Sequence, residues 1–381
     1  MSYDVIVLGL GGMGSATTHH LALRGRRVLG LDRFPPAHDQ GSSHGRSRII
    51  REAYWEHPAY VPLVWRAYEL WADLERAYGR QLLLTTGGIM IGPPESDLVR
   101  GSLESARTHS LTHEILDPPA IRRRFPVFAP GDEMIGVFEP RAGVLFVEEC
   151  VLAHLQQAAS SGADLHHEEP VVEWTASAQG IEVRTPRARY QAGRLVITAG
   201  PWAPTVLADL GLPLVIERQV VAWFRPLALH DAFDAARCPV HIWRAGGRFY
   251  YGIPRLGDST VKIAEHALGN PTTAETIRRE VAPGEIQALR RDFVSRYMPA
   301  ADGEVMASGT CMYTMSPDTH FIIDVHPKHA NVIIASGFSG HGYKFAPVIG
   351  EILADLAVEG RTRHDISLFA AGRFEAKRTA V

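Results

Sequence analysis

The stretch from Tyr3 to Arg33, YDVIVLGLGGMGSATTHHLALRGRRVLGLDR, constrains the fold more than any other part of the chain. Val5, Ile6, Val7 and Leu8 form an unbroken apolar run, which suits a parallel strand buried on both faces. Gly9, Gly11 and Gly14 follow in G-x-G-x-x-G spacing, with Gly12 between them. Each position has its own reason: Gly9 permits a tight turn, Gly11 lets a pyrophosphate reach the backbone, and Gly14 brings the next helix against the strand. A helical pattern runs from Ala16 to Leu23, Gly25 is placed to cap it, and Arg27–Leu31 reads as a second strand. Asp32 ends that strand where an acid accepts hydrogen bonds from an adenosine ribose, with Arg33 beside it. Strand, glycines, helix, strand and acid in this order predict a dinucleotide-binding unit, and the motif alone does not choose between NAD and FAD.

The remaining composition narrows the partners. A length of 381 residues allows two or three domains. With 39 basic and 42 acidic side chains, a formal charge of −3 gives no footing for nucleic acid or an anionic membrane. No apolar run approaches the roughly 18 residues of a spanning helix. The first strand starts by residue 3, which leaves no room for a signal peptide. Cys150, Cys238 and Cys311 are odd in number and far apart, so a reducing cytoplasm without disulfides is expected.

Further along, Phe34–Gly45 is a Pro/Gly/Ser/His loop after a cofactor-type strand, where functional loops are expected. In the extended segment RSRIIR, alternation predicts Arg48 and Arg51 on opposite faces. An amphipathic helix is expected over Tyr60–Tyr78, its aromatics turned to the core. Arg189–Gln191 reads as part of a meander. Leu195–Thr198 reads as a separate buried strand running into Ala199-Gly200-Pro201-Trp202. The segments from Val215 to Ile263 are aromatic and β-branched, and Thr273–Met298 reads as a charged helix. Near the end, a strand at Asn331–Ala335 enters the glycine-rich loop SGFSGHGYK, which opens onto a helix from Phe345, a device for holding anions or polar atoms. The α/β pattern is interrupted twice. This predicts a nucleotide domain of residues 1–82, 146–215 and 321–381, with a mostly antiparallel α+β substrate domain of residues 83–145 and 216–320 inserted in it.

Six separated motifs carry a more specific message: GSSHGRSRIIREAY at 41–54, ITAGPW at 197–202, YYGIP at 250–254, VKIAEH at 261–266, GTCMYTMSPDTHFIID at 309–324 and GFSGHGYKF at 337–345. In this order they resemble the monomeric sarcosine oxidase family, which includes N-methyltryptophan oxidase, and the likeness continues to HDISLF at 364–369. The resemblance implies FAD rather than NAD, in a Rossmann-like, glutathione-reductase-like α/β domain. It implies a thioether from Cys311 to the flavin 8-methyl carbon, leaving Cys150 and Cys238 as structural thiols. Arg51 and Lys344 match the pair that grips the substrate carboxylate, and Arg48 matches the residue against the flavin ring. Lys262 matches the activator of oxygen on the opposite flavin face. His266, Tyr251 and Tyr313 match residues of the amine pocket. Further cofactor contacts implied are Gly12, Arg33, Ser42, Val172, Gly200, Trp202, Gly337, Gly340, Gly342 and Lys344, and no metal is implied.

The activity implied is that of a monomeric oxidase of N-methyl amino acids such as sarcosine. The N-methyl carbon is oxidised, the imine hydrolyses to amino acid and formaldehyde, and dioxygen becomes hydrogen peroxide. Cyclic imino acids or bulkier N-substituted glycines are alternative substrates; an NAD-linked dehydrogenase or a non-enzymatic flavoprotein are remoter readings. The sequence departs from the family at Ser43 and Arg46, where histidine and aspartate are expected. Trp55 and His57 fall in what resembles a mobile entrance loop. Ile242 and Ile253 are expected to face the pocket.

Overall fold

The computed structural model describes residues 2–267 and 269–377; positions 1, 268 and 378–381, all within the expected domains, lie outside the described residues. The apolar runs form one side of the molecule. Asp164–His166, Val28–Leu31, Ser2–Leu8, Arg189–Ile197 and His329–Ser336 lie side by side in parallel, and Ile322–His326 closes the edge antiparallel. Val5 to Leu8 and Val28 to Leu31 are buried along their whole length, because the long helices cover one face and residues such as Ile181, Val183, Ala203 and Leu207 pack with the other. Helix Gly12–Leu23 packs against helices Val147–Ser160 and Ala346–Glu359. Its tight seat on the first strand requires glycine: a Cβ on Gly14 would lie 1.7 Å from the Gly9 carbonyl oxygen.

Arg189–Gln191 and Leu195–Thr198 are not separate strands. Arg189–Ile197 is continuous, because Ser2–Leu8 pairs along it without a break. Its first half also carries the antiparallel strands Gly180–Arg184 and Glu173–Ser177.

The second sheet has nine strands and is antiparallel except where Val240–Ala245 meets Gly88–Gly92. Val215–Phe224 forms its spine, paired with Val305–Met315 on one side and with Val261–His266 on the other. Next come Arg248–Ile253, Val240–Ala245, Gly88–Gly92, Ile135–Glu139 and Glu114–Leu116. One face of this sheet buries Trp243, Tyr250 and Phe224 in an aromatic core, with Tyr250 stacked on Phe293 at 4.5 Å. The side chains between them, at a period of two, therefore face the other way. A small sheet of Ser47–Ile50, Gly143–Phe146 and Leu83–Thr85 accompanies the two large ones.

The charged helix expected over Thr273–Met298 begins only at Pro283. Proline lacks the N–H an interior helical position donates, and Ala282 before it is extended (φ −75°, ψ 145°). The helix Pro283–Leu289 passes through a π-turn, Arg290–Val294, into Ser295–Tyr297. No helix among the described residues is long and apolar enough to cross a membrane.

Candidate active site

Two cavities share Arg48, Tyr313, Gly340 and Tyr343 as common walls. The larger, ≈ 550 Å³, runs from the Gly9–Gly12 turn past Asp32 and Arg33 to the loop at Gly337–Gly342. The smaller, ≈ 120 Å³, lies over the second sheet.

The floor of the smaller cavity is one face of that sheet. Gly309, Cys311 and Tyr313 alternate along one strand, and Gln219, Val221 and Trp223 along its neighbour. Lys262 and His266 follow on the third strand, Tyr251 and Phe249 on the fourth, and Ile242 on the fifth. Register brings Gln219 opposite Cys311, Trp223 opposite Lys262, and Phe249 opposite His266. Five strands thus point their alternate side chains into one space. The segment 44–56 and the loop 340–344 form its other walls.

At one end sits a buried ion pair. Arg51 grips both oxygens of Glu56, at 2.7 and 2.6 Å, and donates through Nη1 to the Ala53 carbonyl at 3.0 Å. The side chains are only 3% and 4% exposed. Burial pushes the Glu56 carboxyl up, but Arg51, His341 and Lys344 more than offset this and hold it below its ordinary value. Lys344 donates to the His341 carbonyl at 2.7 Å and to the Tyr54 hydroxyl at 3.4 Å. The Tyr54 hydroxyl lies 2.6 Å from His341 Nδ1, and His341 Nε2 lies 2.9 Å from the Thr319 carbonyl. Burial, joined by the nearby Arg51 charge, lowers Lys344 to about 7. The indole N–H of Trp71 holds the Lys344 carbonyl at 2.9 Å, so one core aromatic of the long helix supports the site.

At the other end, Arg48 donates to the Ser42 carbonyl at 2.7 Å and approaches Cys311 Sγ at 3.6 Å. Burial pushes the Cys311 thiol up, yet the neighbouring His44, Arg48 and Lys262 bring it down to about 7. By contrast, burial raises Cys150 and Cys238, and all three thiols are free. Lys262 is 3% exposed and donates to the Gly45 and Ser47 carbonyls at 2.8 and 3.1 Å. Burial and the Arg48 charge lower it to about 7. His266 Nδ1 lies 3.2 Å from the Tyr313 hydroxyl, and burial lowers the imidazole to about 4.

A family model for FAD dependent oxidoreductases matches residues 4–356. A monomeric sarcosine oxidase from Streptomyces avermitilis is 49% identical over 379 residues, covering 98% of each chain. An N-methyl-L-tryptophan oxidase from Salmonella arizonae is 34% identical, covering 98% of this chain and 100% of its own. Among solved structures, NikD, an unusual amino acid oxidase essential for nikkomycin biosynthesis, superposes with a TM-score of 0.84 at 25% identity, covering 97% of both chains. The chain belongs to the FAD-dependent oxidoreductase family, with the monomeric sarcosine oxidases among its relatives.

The residues present fit FAD. The larger cavity begins at a glycine turn and helix N-terminus, an arrangement that suits a pyrophosphate. Asp32 accepts the Leu10 and Phe34 amides at 2.7 and 2.9 Å, one on each oxygen, which sets its carboxylate at the cavity wall with lone pairs to spare. Gly340 (φ +77°) stands at the junction, where a Cβ would strike the Tyr313 ring at 2.4 Å. His44 Nε2, buried at the smaller cavity, has no hydrogen-bond partner among the described residues.

Of the residues expected at the cofactor, Gly9, Gly11, Gly12, Asp32, Arg33, Ser42, Arg48, Val172, Gly200, Trp202, Gly337, Gly340 and Gly342 line the larger cavity. Gly14 does not, since it packs helix on strand; Cys311 and Lys344 line the smaller one. Arg51, Tyr251, Lys262, His266 and Tyr313 all meet there. Arg48 and Arg51 lie at opposite ends of the smaller cavity, Arg48 toward Ser42 and Cys311 and Arg51 toward Ala53 and Glu56. The strand ends at Ile50, and both arginines line the smaller cavity.

Ile242 reaches the pocket, whereas Ile253 is covered by Ala142, Val144 and Val240. Ser43 accepts the Gly12 amide at 2.9 Å, and Arg46 reaches outward to Asp258 at 3.3 Å while lying over Trp223. Trp55 stacks on Phe249 at 4.8 Å, and His57 takes the Ala59 amide at 3.1 Å. Glu56, Gln219, Trp223, Phe249 and His341 were not singled out from the sequence. Only the period of two in VVAWF and GRFYYGI marked some of them as pointing one way.

Proposed function

We propose that this chain oxidises N-methyl amino acids of the sarcosine type, with its FAD attached through Cys311 and dioxygen as the acceptor. The observation that carries the reading is Arg51 closed on Glu56: both oxygens of the chain's own carboxylate sit on the buried Arg51 Nη2, beside Lys344. A substrate acid displaces Glu56 and takes its place on Arg51 Nη2, with Lys344 as a second cation. Its amine then lies toward His266 and Tyr313, where a neutral imidazole and tyrosine rings accept an uncharged amine. The Trp55–Phe249 stack and the small cavity support a small N-substituent.

When bound, the flavin supplies the two-electron oxidation of the substrate C–N bond and passes those electrons to dioxygen. Hydrolysis of the imine yields amino acid and formaldehyde. The Lys262 ammonium, held by two carbonyls, offers positive charge where oxygen gathers negative charge on reduction. The lowered Cys311 thiol, with Arg48 beside it, is the nucleophile suited to a thioether.

The first sheet frames the FAD unit of residues 1–82, 146–215 and 321–381 in this reading. The second frames the substrate unit of 83–145 and 216–320. The protein acts as a monomer in the reducing cytoplasm, in keeping with relatives named monomeric and with three free thiols.

An anaerobic substrate panel tests the reading. Sarcosine bleaches the flavin absorbance and its amide does not. Failure of every secondary amino acid to bleach the flavin overturns it.

A further inference from the structure

Glu139 ends the strand Ile135–Glu139 and is 1% exposed, yet among the described residues it has no lysine or arginine within ion-pair distance. A lone buried carboxylate is expensive to keep, and its hydrogen bonds must account for it. Oε1 accepts the Glu52 amide at 2.8 Å and Oε2 accepts the Ala53 amide at 2.5 Å. These are the two residues that follow Arg51. The Ala53 carbonyl in turn receives Arg51 Nη1 at 3.0 Å. One carboxylate therefore holds the backbone that holds the guanidinium. Burial raises the Glu139 carboxyl to about 7, with the two amides and Arg51 opposing that rise.

The segment beyond is anchored unevenly. Ala53 and Tyr54 are fully buried, and the Tyr54 carbonyl takes the Ser105 hydroxyl at 2.5 Å. Trp55 and Glu56 are only partly buried as residues, and His57 is exposed. A substrate acid that takes the Arg51 fork must send Glu56 away. Once Glu56 has left, the hydrogen bond remaining on the Arg51 guanidinium among the described residues is the one to Ala53.

We propose that Glu139 is a positioning residue for substrate acids, clamping residues 52 and 53 so that the Arg51 fork keeps its aim while the Glu56 limb swings out. This rests on the reading that Arg51 grips the substrate carboxylate. It makes 52–53 the fixed side of the moving segment and 55–57 the mobile side.

The test replaces the carboxylate by its isostere in the flavin-loaded enzyme. Glu139→Gln keeps the shape but turns an N–H₂ toward a backbone N–H. Binding is read by flavin absorbance with two ligands, N,N-dimethylglycine and its neutral amide. The expected result is dimethylglycine weakened about tenfold, the size of one lost hydrogen bond to a charged group, with the amide changed less than twofold. The KM for sarcosine rises alongside, and Glu139→Asp, which restores the ionised group, recovers part of the acid-over-amide preference.

An unchanged preference in Glu139→Gln, or equal weakening of both ligands, overturns the proposal. Where Glu139→Gln does not hold its flavin, Glu139→Ala is read by the same rule: the lost clamp should weaken the acid and spare the amide, and an unchanged preference overturns the proposal. Arg51→Ala separates the two readings. If it binds both ligands as the natural enzyme does, the carboxylate assignment itself fails, and the role of Glu139 falls with it.

Discussion

Replacing Glu56 by glutamine should make the enzyme bind acids more tightly while making the ligand-free protein less stable. In the structure Glu56 offers both oxygens to Arg51, at 2.7 and 2.6 Å, with both side chains almost wholly buried. On the proposed reading, a substrate carboxylate competes with that internal ligand. Glutamine keeps the length but offers one neutral acceptor. Exchanging charge-assisted contacts for a neutral one removes about 2 kcal/mol of competition, which is roughly thirtyfold in affinity. The same change leaves Arg51 buried with a poorer partner, so the ligand-free stability falls by a similar amount. Titrating the flavin absorbance with N,N-dimethylglycine measures the first effect. A thermal melt with and without that ligand measures the second, and saturating ligand should restore much of the lost Tm. Unchanged affinity together with an unchanged Tm would refute the competition and return Glu56 to a bystander. Weaker binding in Glu56→Gln would show that Glu56 assists the acid instead.

Three further outcomes follow from the same geometry. Cys311→Ala should leave no flavin in acid-precipitated protein, whereas Cys150→Ala should keep it; a yellow pellet from the Cys311 variant removes that sulfur from its role. Lys262→Met should be reduced by sarcosine without air at close to the normal rate but reoxidise slowly, by about 10²-fold or more if a fixed charge acts as such charges do elsewhere; equal reoxidation rates exclude it. The third concerns pH. Lys344 is lowered from 10.5 to about 7, so its cation is present below that pH and lost above it. The affinity of an acid with no titrating amine, such as a thioether carboxylate, should therefore fall as pH rises through about 7, and Lys344→Met should flatten that profile; an unchanged slope in the variant assigns the titration elsewhere.

Much of the nucleotide side was legible because its determinants are local. The glycines at 9, 11 and 14, the apolar runs and Asp32 each act on neighbours within a few residues, and the structure keeps them where that logic puts them. Local logic failed where one residue overruled a longer pattern. Pro283 cut the helix expected from Thr273, and the unbroken pairing of Ser2–Leu8 joined two short strands into one.

The smaller cavity was legible only in part, for a different reason. A period of two marks Gly309, Cys311 and Tyr313 as sharing a face, but nothing in it gives the register that sets Gln219 opposite Cys311 or Trp223 opposite Lys262. Ile253 shows the consequence. It shares a strand face with Tyr251, yet the small sheet covers it with Ala142 and Val144.

Glu56 and Glu139 were the hardest to see, because a charged residue reads as solvated until the fold brings its partner. Arg48, Arg51, Lys262 and Lys344 come from three distant parts of the chain and meet in one cavity. Two guanidiniums and two amines drawn together repel one another, which is part of why Lys262 and Lys344 are lowered to about 7, and nearby acids offset that repulsion. Glu56 and Glu139 supply that compensation in different ways. Glu56 sits directly on Arg51 and, on the proposed reading, gives way to a substrate anion, which preserves the balance of charge. Glu139 bonds only backbone amides, so it can remain in place throughout the exchange. The division of labour between a displaceable acid and a permanent one follows from which atoms each carboxylate touches, and only the folded chain makes those contacts.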